Sequence, residues 1–376
     1  MTYDLTDLPL TSLIGPAMRA SEALVRLDER IARSPVGQGF VERGHFTDAV
    51  SSLWLDGELV HIEDLVLHDA HMDLRAPTHE LTRAHEILRL RRQIFANRPS
   101  WALGREGLAT LCGRGAAQVA PRPQYQEVAL GGEEDEDDGD DTLKAEMAAL
   151  DAALDRAQAV LERTPRDAKQ PATRAVMTVR RGADDKNPLI YDADWDEPER
   201  LAAWQRALSE SEGLPPLLRA AVAFDAWSVI APLQHAPWLG RLLVEALLRE
   251  TATTTAHLAA LYFGARIIPR EIRHSRDRAM RLVAFLDGVY ETAKAGAKEH
   301  DRLILAKTQM DRRLKGRRST SKLPQLIDLV LSRPLVSSGM VEKELGVTTA
   351  GALNLIGELD LREITGRGRY RAWGIM

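Results

Sequence analysis

Residues 337–373 read SSGMVEKELGVTTAGALNLIGELDLREITGRGRYRAW, and this stretch decides the interpretation of the fold. It contains two short helical segments, Ser337–Leu345 and Thr348–Leu359, joined by the tight turn Gly346-Val347-Thr348. The last residue of that turn is expected to cap the helix that follows. A further short helix is predicted just upstream, over Gln325–Ser332. Three short helices with a tight turn before the last one predict a helix-turn-helix.

The residues after the third helix predict a wing. Leu361–Ile364 and Arg369–Trp373 have strand character and flank the turn Thr365–Gly368. In such modules the third helix enters the major groove and the wing lies along phosphates. The third-helix residues expected to approach base edges are Thr348, Thr349, Gly351 and Asn354. The side chains expected to contact phosphates are Arg362, Arg367, Arg369 and Arg371, with Arg317 and Arg318 upstream.

Charge leaves a second interpretation of this unit open. Residues 324–376 hold six basic and six acidic residues, so the unit is neutral. A winged helix that binds a protein, or that only packs internally, is therefore the alternative to DNA binding. The linker 311–323 favours DNA, because it is rich in arginine and lysine. A homodimer is the default expectation for helix-turn-helix proteins that read palindromic sites.

The composition of the whole chain excludes several classes of protein. The chain has 376 residues, a formal net charge of −5 and 44% hydrophobic residues, which suits two or three domains with a buried core. The lone Cys112 excludes an intramolecular disulfide framework and a cysteine-rich zinc ribbon. No apolar run has the length of a membrane span, and no signal peptide is visible. We therefore expect a cytoplasmic protein without membrane contact.

The chain divides into segments of different composition. Residues 131–141, GGEEDEDDGDD, are predicted to form a solvated, disordered acidic loop. Residues 1–130 are predicted to be helical, and residues 142–310 to form a second helical domain with a β-hairpin over 175–191. The expected fold is mostly α, with this small hairpin and a winged helix-turn-helix domain over residues 324–376.

Two helices of the first segment are predicted in detail. Ser21 is expected to cap a helix whose apolar face carries Leu24, Leu27 and Ile31. Pro77 and Thr78 are expected to open another helix. Its outward face is expected to carry arginines that pair with Glu80 and Glu86 or extend an anion-binding surface, namely Arg89, Arg91 and Arg92.

Two further groups of residues in this first segment carry predictions. Asp64, His68 and His71 follow helical spacing and form a candidate metal set. No fourth ligand is evident, so we expect a solvent-exposed helix face and no metal. Trp54 and Trp101 are expected in the core.

Several segments carry a family resemblance. The stretch PLLRAAVAFDAWSVI, Pro216–Ile230, precedes a loop that ends in Gly240-Arg241. This helix and loop, the hairpin at 175–191 and the chain ending resemble the active-site helix, the flap and the winged-helix ending of the Fic (filamentation induced by cAMP) family. Upstream, SLWLDG resembles the inhibitory motif of that family, with an aspartate in place of glutamate; its matching residues are Ser52, Asp56 and Gly57.

A second resemblance concerns the overall arrangement. The chain is similar to a group of often plasmid-encoded proteobacterial proteins, several from plant symbionts. Those proteins carry a domain of unknown function ahead of a helix-turn-helix.

The Fic resemblance implies a chemistry for the loop. In active Fic proteins a histidine deprotonates a target hydroxyl, an acidic residue holds a metal on the nucleotide, and glycine amides with arginines bind the phosphates. Here residues 231–241 read APLQHAPWLGR. One alignment places Ala231 at the histidine, and another makes His235 a displaced base. Gly240 and Arg241 match the anion-binding residues, but no carboxylate lies in the loop.

We therefore expect a DNA-binding or regulatory protein. Its Fic-like domain is expected to sense a ligand, dimerise or bind a protein partner without nucleotide transfer, and to need no cofactor. The alternative is an active Fic-type enzyme that transfers AMP to a protein hydroxyl. The resemblance then implies His235 as base, Arg241 on phosphate, ATP and magnesium as cofactors, and the segment 52–57 as the inhibitor.

Overall fold

A computed structural model describes residues 3–72, 76–113, 195–314, 321–364 and 371–375. Several predicted features lie outside these described residues: the acidic loop 131–141, the hairpin 175–191, and the arginines Arg317, Arg318, Arg367 and Arg369. The described residues are mostly helical, with one small antiparallel sheet near the C-terminus. The predicted mostly α fold class is confirmed.

The larger body of the protein is a helical assembly. Its described helices are α1 (Leu10–Ala32), α2 (Gly37–Leu55), α3 (Ile62–Asp69), α4 (His79–Ala96), α5 (Arg105–Leu111), α6 (Glu197–Glu210), α7 (Pro216–Ile230), α8 (Leu239–Glu250), α9 (Leu261–Ile267), α10 (Arg270–Arg273) and α11 (Arg278–Leu314). The apolar helix α7 is buried and packs between α6 and α8. Helix α11 has 37 residues and is therefore about 55 Å long. It packs along α1 and α9 and continues to the C-terminal unit.

The C-terminal unit contains the predicted helix-turn-helix. Its elements are α12 (Leu323–Ser332), β1 (Val336–Ser337), α13 (Ser338–Leu345), α14 (Thr349–Leu359), β2 (Arg362–Glu363) and β3 (Ala372–Gly374). Strand β3 lies between β1 and β2, and Trp373 is opposite both Val336 and Glu363. Gly346 ends α13 with a φ of +62°, a backbone conformation that glycine adopts without strain. Thr348 then caps α14, since its Oγ1 accepts from Gly351 N at 3.2 Å.

The start of α1 differs from the prediction. The helix begins at Leu10, so Ser21 lies inside it and the predicted cap at this position is wrong. The apolar face continues upstream of Ser21 through Leu13 and Ala17, both of which are buried. Burial of this longer face outweighs the weak preference of one serine for a helix terminus.

The position of Trp54 also differs from the prediction. Trp54 is 43% exposed, and the guanidinium carbon of Arg266 lies 4.7 Å from the centre of its ring. Its neighbour Leu53 is completely buried, so Trp54 falls on the outer face of α2. Trp101, by contrast, is half-buried and packs against the buried core.

Candidate functional site

Helix α14 has one buried face and one exposed face. Ala352, Ile356 and Leu359 point into the core of the C-terminal unit. The residues exposed around the cap and along the outer face are Thr348, Thr349, Ala350, Leu353, Asn354 and Gly357. Small and amide side chains of this kind can approach base edges, and an apolar side chain can contact a thymine methyl group.

Two residues of this face were missed by the sequence analysis. Leu353 is 41% exposed, although its side chain is large and apolar, and Ala350 is exposed one turn before it. Their signal in the sequence is the helical period, which places Ala350 opposite the buried Ala352 and Leu359, and Leu353 at the border of the exposed face. Gly351, which was expected on the exposed face, is half-buried beside Thr348.

The C-terminal end of α14 is tied to the end of α11. Arg313 Nη2 lies 3.0 Å from Asp360 Oδ2, and its Nη1 lies 3.4 Å from the carbonyl oxygen of Glu358. Asn354 also contacts this end of the helix, because its Nδ2 donates to Glu358 Oε1 at 3.1 Å. The two contacts of Arg313 connect the end of α14 to the long helix of the body, whereas the bond of Asn354 lies within α14.

The strand pair β2 and β3 presents two different arginines. Arg371 donates two hydrogen bonds to Glu363 Oε2, at 3.0 and 2.8 Å, so a phosphate would compete with this carboxylate. Arg362 is exposed on β2 and forms no ion pair or side-chain hydrogen bond among the described residues. Of the predicted phosphate contacts that the structure describes, Arg362 is the one whose charge is uncommitted.

The C-terminal unit is bonded directly to the helical body. Arg43 of α2 is buried and donates to the carbonyl oxygens of Val330, at 3.4 Å, and Arg333. Close backbone packing accompanies these bonds, because a Cβ added at Gly39 would lie 2.8 Å from the carbonyl oxygen of Leu331. The helix-turn-helix therefore has a defined position on the body within the described residues.

The loop that was compared with the Fic active-site loop, residues 231–241, does not enclose an open space at Gly240. His235 Nδ1 lies 3.4 Å from Glu197 Oε1, so the candidate base faces a carboxylate of α6. A Cβ added at Gly240 would lie 2.3 Å from Cδ1 of Trp227, which shows that the indole ring fills the space at this glycine. Trp238 is buried, and its carbonyl oxygen accepts from the hydroxyl of Tyr262.

The side chain of Arg241 lines a small cavity that Gly240 does not line. Its guanidinium carbon lies 4.4 Å from the ring centre of Phe224 and 5.2 Å from that of Tyr262. The cavity, which Arg273 also lines, measures about 30 Å³, roughly the volume of one water molecule. Desolvation lowers the pKa of Arg241, although nearby acidic groups counteract this effect. The two predicted anion-binding residues therefore do not share a pocket.

The segment that resembles the inhibitory motif forms the C-terminal end of α2. Ser52 is buried and donates to the carbonyl oxygen of Ala49 at 2.7 Å. Asp56 follows the helix, with its Oδ2 at 3.5 Å from Arg83 Nη2, and Gly57 turns the chain with a φ of +88°. Burial raises the pKa of Asp56, against the nearby positive charges of Arg83 and Arg241, which lower it.

The prediction that Arg91 lies on the outward face of α4 is wrong. The side chain is completely buried, and its Nη1 donates to Asp48 Oδ2 at 2.5 Å and to Glu245. Desolvation raises the pKa of both carboxyl groups, and that of Glu245 is raised well above its ordinary value despite the charge of Arg91. Three ionisable groups thus join α2, α4 and α8 in the interior.

The neighbouring arginine, Arg92, also pairs with residues that the sequence analysis did not name. Its Nη1 lies 2.7 Å from Asp69 Oδ1, and its Nη2 lies 3.1 Å from Glu42 Oε2. The predicted partners, Glu80 and Glu86, are on the same helix and are not used. The exposed Arg89 is the arginine of α4 that matches the prediction of an outward position.

The candidate metal set does not come together. Helix α3 ends at Asp69, so His71 lies beyond it with a φ of +57°, and the ring of His68 packs against His85 at 4.7 Å. Among the described residues, no group of three or more histidine, cysteine, aspartate or glutamate side chains is arranged to hold a metal ion. The described helices also include none that combines the length and apolar character of a membrane span.

Comparison with known proteins gives two family matches and a full-length relative. Residues 189–315 match a family described as "Protein of unknown function (DUF1612)", and residues 323–376 match an "HTH DNA binding domain" family. The chain is 50% identical, over 392 residues, to "Uncharacterized protein y4cF" of Sinorhizobium fredii, with 100% of each chain covered. Neither matched family is the Fic family, whose resemblance stays a prediction. The chain belongs to the same family as y4cF, and it carries a DUF1612 region followed by a helix-turn-helix DNA-binding domain.

Proposed function

We propose that this protein is a cytoplasmic DNA-binding regulator that reads base sequence through α14. The single observation that carries the proposal is the exposed face of α14, which lies in a unit that matches a helix-turn-helix DNA-binding family. Thr349, Ala350, Leu353 and Asn354 supply a hydroxyl, two apolar surfaces and an amide on that face. Such a set suits direct contact with base edges in the major groove.

The phosphate contacts are proposed to come from positive groups beside α14. Arg362 on β2 is exposed and unpaired among the described residues, and the linker 311–323 supplies further arginines. We propose that β2 and β3 act as a wing along the DNA backbone. Because the whole chain has a net charge of −5, binding depends on this local positive surface and not on the overall charge.

Selection from random duplexes tests the proposal. The full-length protein should enrich a defined sequence, and a two-fold dimer should reveal itself as two inverted half-sites. The affinity for the selected site should fall steeply as salt increases. Arg362→Ala should reduce the slope of log affinity against log salt by about 1, because one phosphate contact is lost. Enrichment of no sequence, together with no salt dependence, would contradict DNA binding.

We further infer that the Fic resemblance concerns the helical scaffold and not its chemistry. This inference is supported by the indole ring that fills the space at Gly240, and by the cavity beside Arg241, which Gly240 does not line. The test is incubation of the protein with labelled ATP and magnesium. We expect no transfer of label to the protein itself. Self-labelling that His235→Ala abolishes would favour the rival function, AMP transfer to a protein hydroxyl.

A further inference from the structure

Asn354 is the one amide side chain of helix α14. The helix, Thr349–Leu359, holds a single charged residue, Glu358, and its other side chains are hydroxyl, small or apolar. It therefore has no cation that could donate to the two acceptors of a guanine. Among the exposed side chains of the helix, Asn354 and Thr349 are the ones that can form directional hydrogen bonds with a base.

Small neighbours leave the amide of Asn354 open to approach. Ala350 lies one turn before it and Gly357 one turn after it, and both are exposed. A Cβ added at Gly357 would meet no atom within 4 Å. Residues at these spacings share one face of a helix. The two neighbours of Asn354 on that face are therefore too short to shield its amide from a ligand.

The carboxylate of Glu358 commits one part of this amide. Asn354 Nδ2 donates to Glu358 Oε1 at 3.1 Å. Because a carboxylate only accepts, this bond assigns the amide nitrogen to the side of Glu358. Asn354 forms no other side-chain hydrogen bond among the described residues. One Nδ2 hydrogen and the acceptor Oδ1 therefore remain for a ligand.

The groups that remain match the edge of one base. In the major groove adenine presents the N6 donor beside the N7 acceptor, whereas guanine presents two acceptors, N7 and O6. Cytosine and thymine each offer one hydrogen-bonding group there. Guanine would need both hydrogens of Nδ2, one of which Glu358 already accepts, and the negative carboxylate would repel its two acceptors. Adenine is thus the base that uses both free groups of Asn354.

The base opposite adenine also finds a suitable side chain. Leu353, next to Asn354 in the helix, is 41% exposed although it is large and apolar. Apolar side chains recognise thymine by contact with its C5 methyl group, which no other DNA base carries in the major groove. The leucine beside the amide therefore favours thymine as the paired base.

We propose that α14 reads an A·T base pair, with Asn354 bonded to adenine and Leu353 against the methyl group of the paired thymine. Glu358 is a positioning residue, which holds the amide in the orientation that fits adenine and disfavours guanine. This assignment rests on the proposed DNA binding and adds to it the identity of one base pair.

Base analogues in the selected duplex test the assignment. Each adenine is replaced in turn by 7-deazaadenine, which lacks the N7 acceptor, and each thymine by uracil, which lacks the methyl group. At one A·T pair of the site, 7-deazaadenine should lower the affinity of the full-length protein about fivefold, and uracil about fourfold. Asn354→Ala should bind the natural and the 7-deazaadenine duplex equally, because it has already lost the contact. Leu353→Ala should no longer distinguish thymine from uracil.

The role of Glu358 is measured as discrimination between bases. The A·T pair that the analogues identify is replaced by G·C, and the ratio of the affinities for the two duplexes is determined for each variant. Glu358→Ala frees the second amide hydrogen, so it should reduce this ratio at least fivefold. Glu344→Ala removes an exposed acidic side chain from α13 of the same domain and should leave the ratio unchanged. An equal ratio in the wild type and in a folded Glu358→Ala variant would overturn the positioning role.

Failure of the base assignment differs from failure of the proposed function. A selected duplex in which no adenine responds to 7-deazaadenine, or a response that persists in Asn354→Ala, would overturn the base assignment and leave DNA binding in place. A protein that enriches no duplex would contradict the proposed function, and the base assignment with it.

Discussion

Arg302 Nη1 lies 2.9 Å from the carbonyl oxygen of Ile375, so the long helix α11 holds the last residues of the helix-turn-helix unit. The same guanidinium donates to Glu299 at 2.6 and 2.8 Å. Glu299 also accepts from Arg43 Nε at 3.2 Å, and Arg43 binds carbonyl oxygens at the other side of the unit. Three side chains therefore connect two helices of the body to the DNA-binding domain.

Loss of one of these side chains should loosen the domain. Arg302→Ala removes the bond to Ile375 and releases Glu299. The substitution should therefore increase the rate of amide hydrogen exchange in α12 and β3 more than it does in α7. The expected loss of unfolding free energy is about 1 kcal/mol, because the side chain is partly exposed. Arg33→Ala is the control, since it removes an exposed pair with Glu29 on α1. Equal exchange rates of α12 and β3 in the Arg302→Ala and Arg33→Ala variants would show that Arg302 does not hold the domain.

The buried arginine of α4 should be essential for stability. Arg91→Met leaves Asp48 and Glu245 without their cation in the interior, and breaking a buried ion pair in this way typically costs about 3–5 kcal/mol. Arg89→Met makes the same change at an exposed position of the same helix and should cost less than about 0.5 kcal/mol. Urea unfolding measures the free energy of unfolding of both variants. Similar midpoints for the two variants would contradict the role of the buried charges.

Glu245 should make stability depend on pH in a specific direction. Because burial raises its pKa in the folded protein, the folded chain holds a proton that the unfolded chain releases above about pH 4.3. Its stabilising contribution is therefore complete below that pH and is lost as the pH rises through the folded pKa. Glu245→Gln removes this titration, so its unfolding free energy should decline less between pH 5 and pH 8 than that of the wild type. If the free energy of unfolding of the wild type and of Glu245→Gln declined equally between pH 5 and pH 8, the prediction would be contradicted.

Gly240 should be a packing residue. Gly240→Ala places a methyl group against the ring of Trp227 and should reduce stability by about 1–3 kcal/mol. Gly213→Ala is the control, because a Cβ at that position meets no atom within 4 Å. Thermal unfolding compares the two. An unchanged melting temperature for Gly240→Ala, combined with lost binding of ATP to a binding-competent wild type, would instead assign Gly240 to a phosphate cradle.

The helix-turn-helix could be predicted because its signals are local. Thr348 and the amide of Gly351 that it caps are three residues apart, and Gly346 ends the preceding helix through its own backbone conformation. The alternation of buried Ala352 and Ile356 with exposed Leu353 follows the helical period. Each of these features depends on neighbours within one or two turns, which the sequence contains directly.

The interior polar groups could not be predicted, because their partners come from distant parts of the chain. Asp28 and His257 are 229 positions apart, and Arg91 and Glu245 are 154 positions apart. On an isolated amphipathic helix a charged residue is expected to face solvent. The sequence of α4 does not indicate that Arg91 pairs with two buried carboxylates from other helices.

The most direct test of DNA recognition compares the affinities of the full-length protein for its selected duplex and for a scrambled duplex of the same composition. The account predicts that the wild type prefers the selected duplex, and that Asn354→Ala lowers this affinity about tenfold or more without changing that for the scrambled one. Asn97→Ala, at the end of α4, should alter neither affinity. Equal affinity of the wild type for both duplexes, or an unchanged preference in Asn354→Ala, would contradict sequence reading by α14.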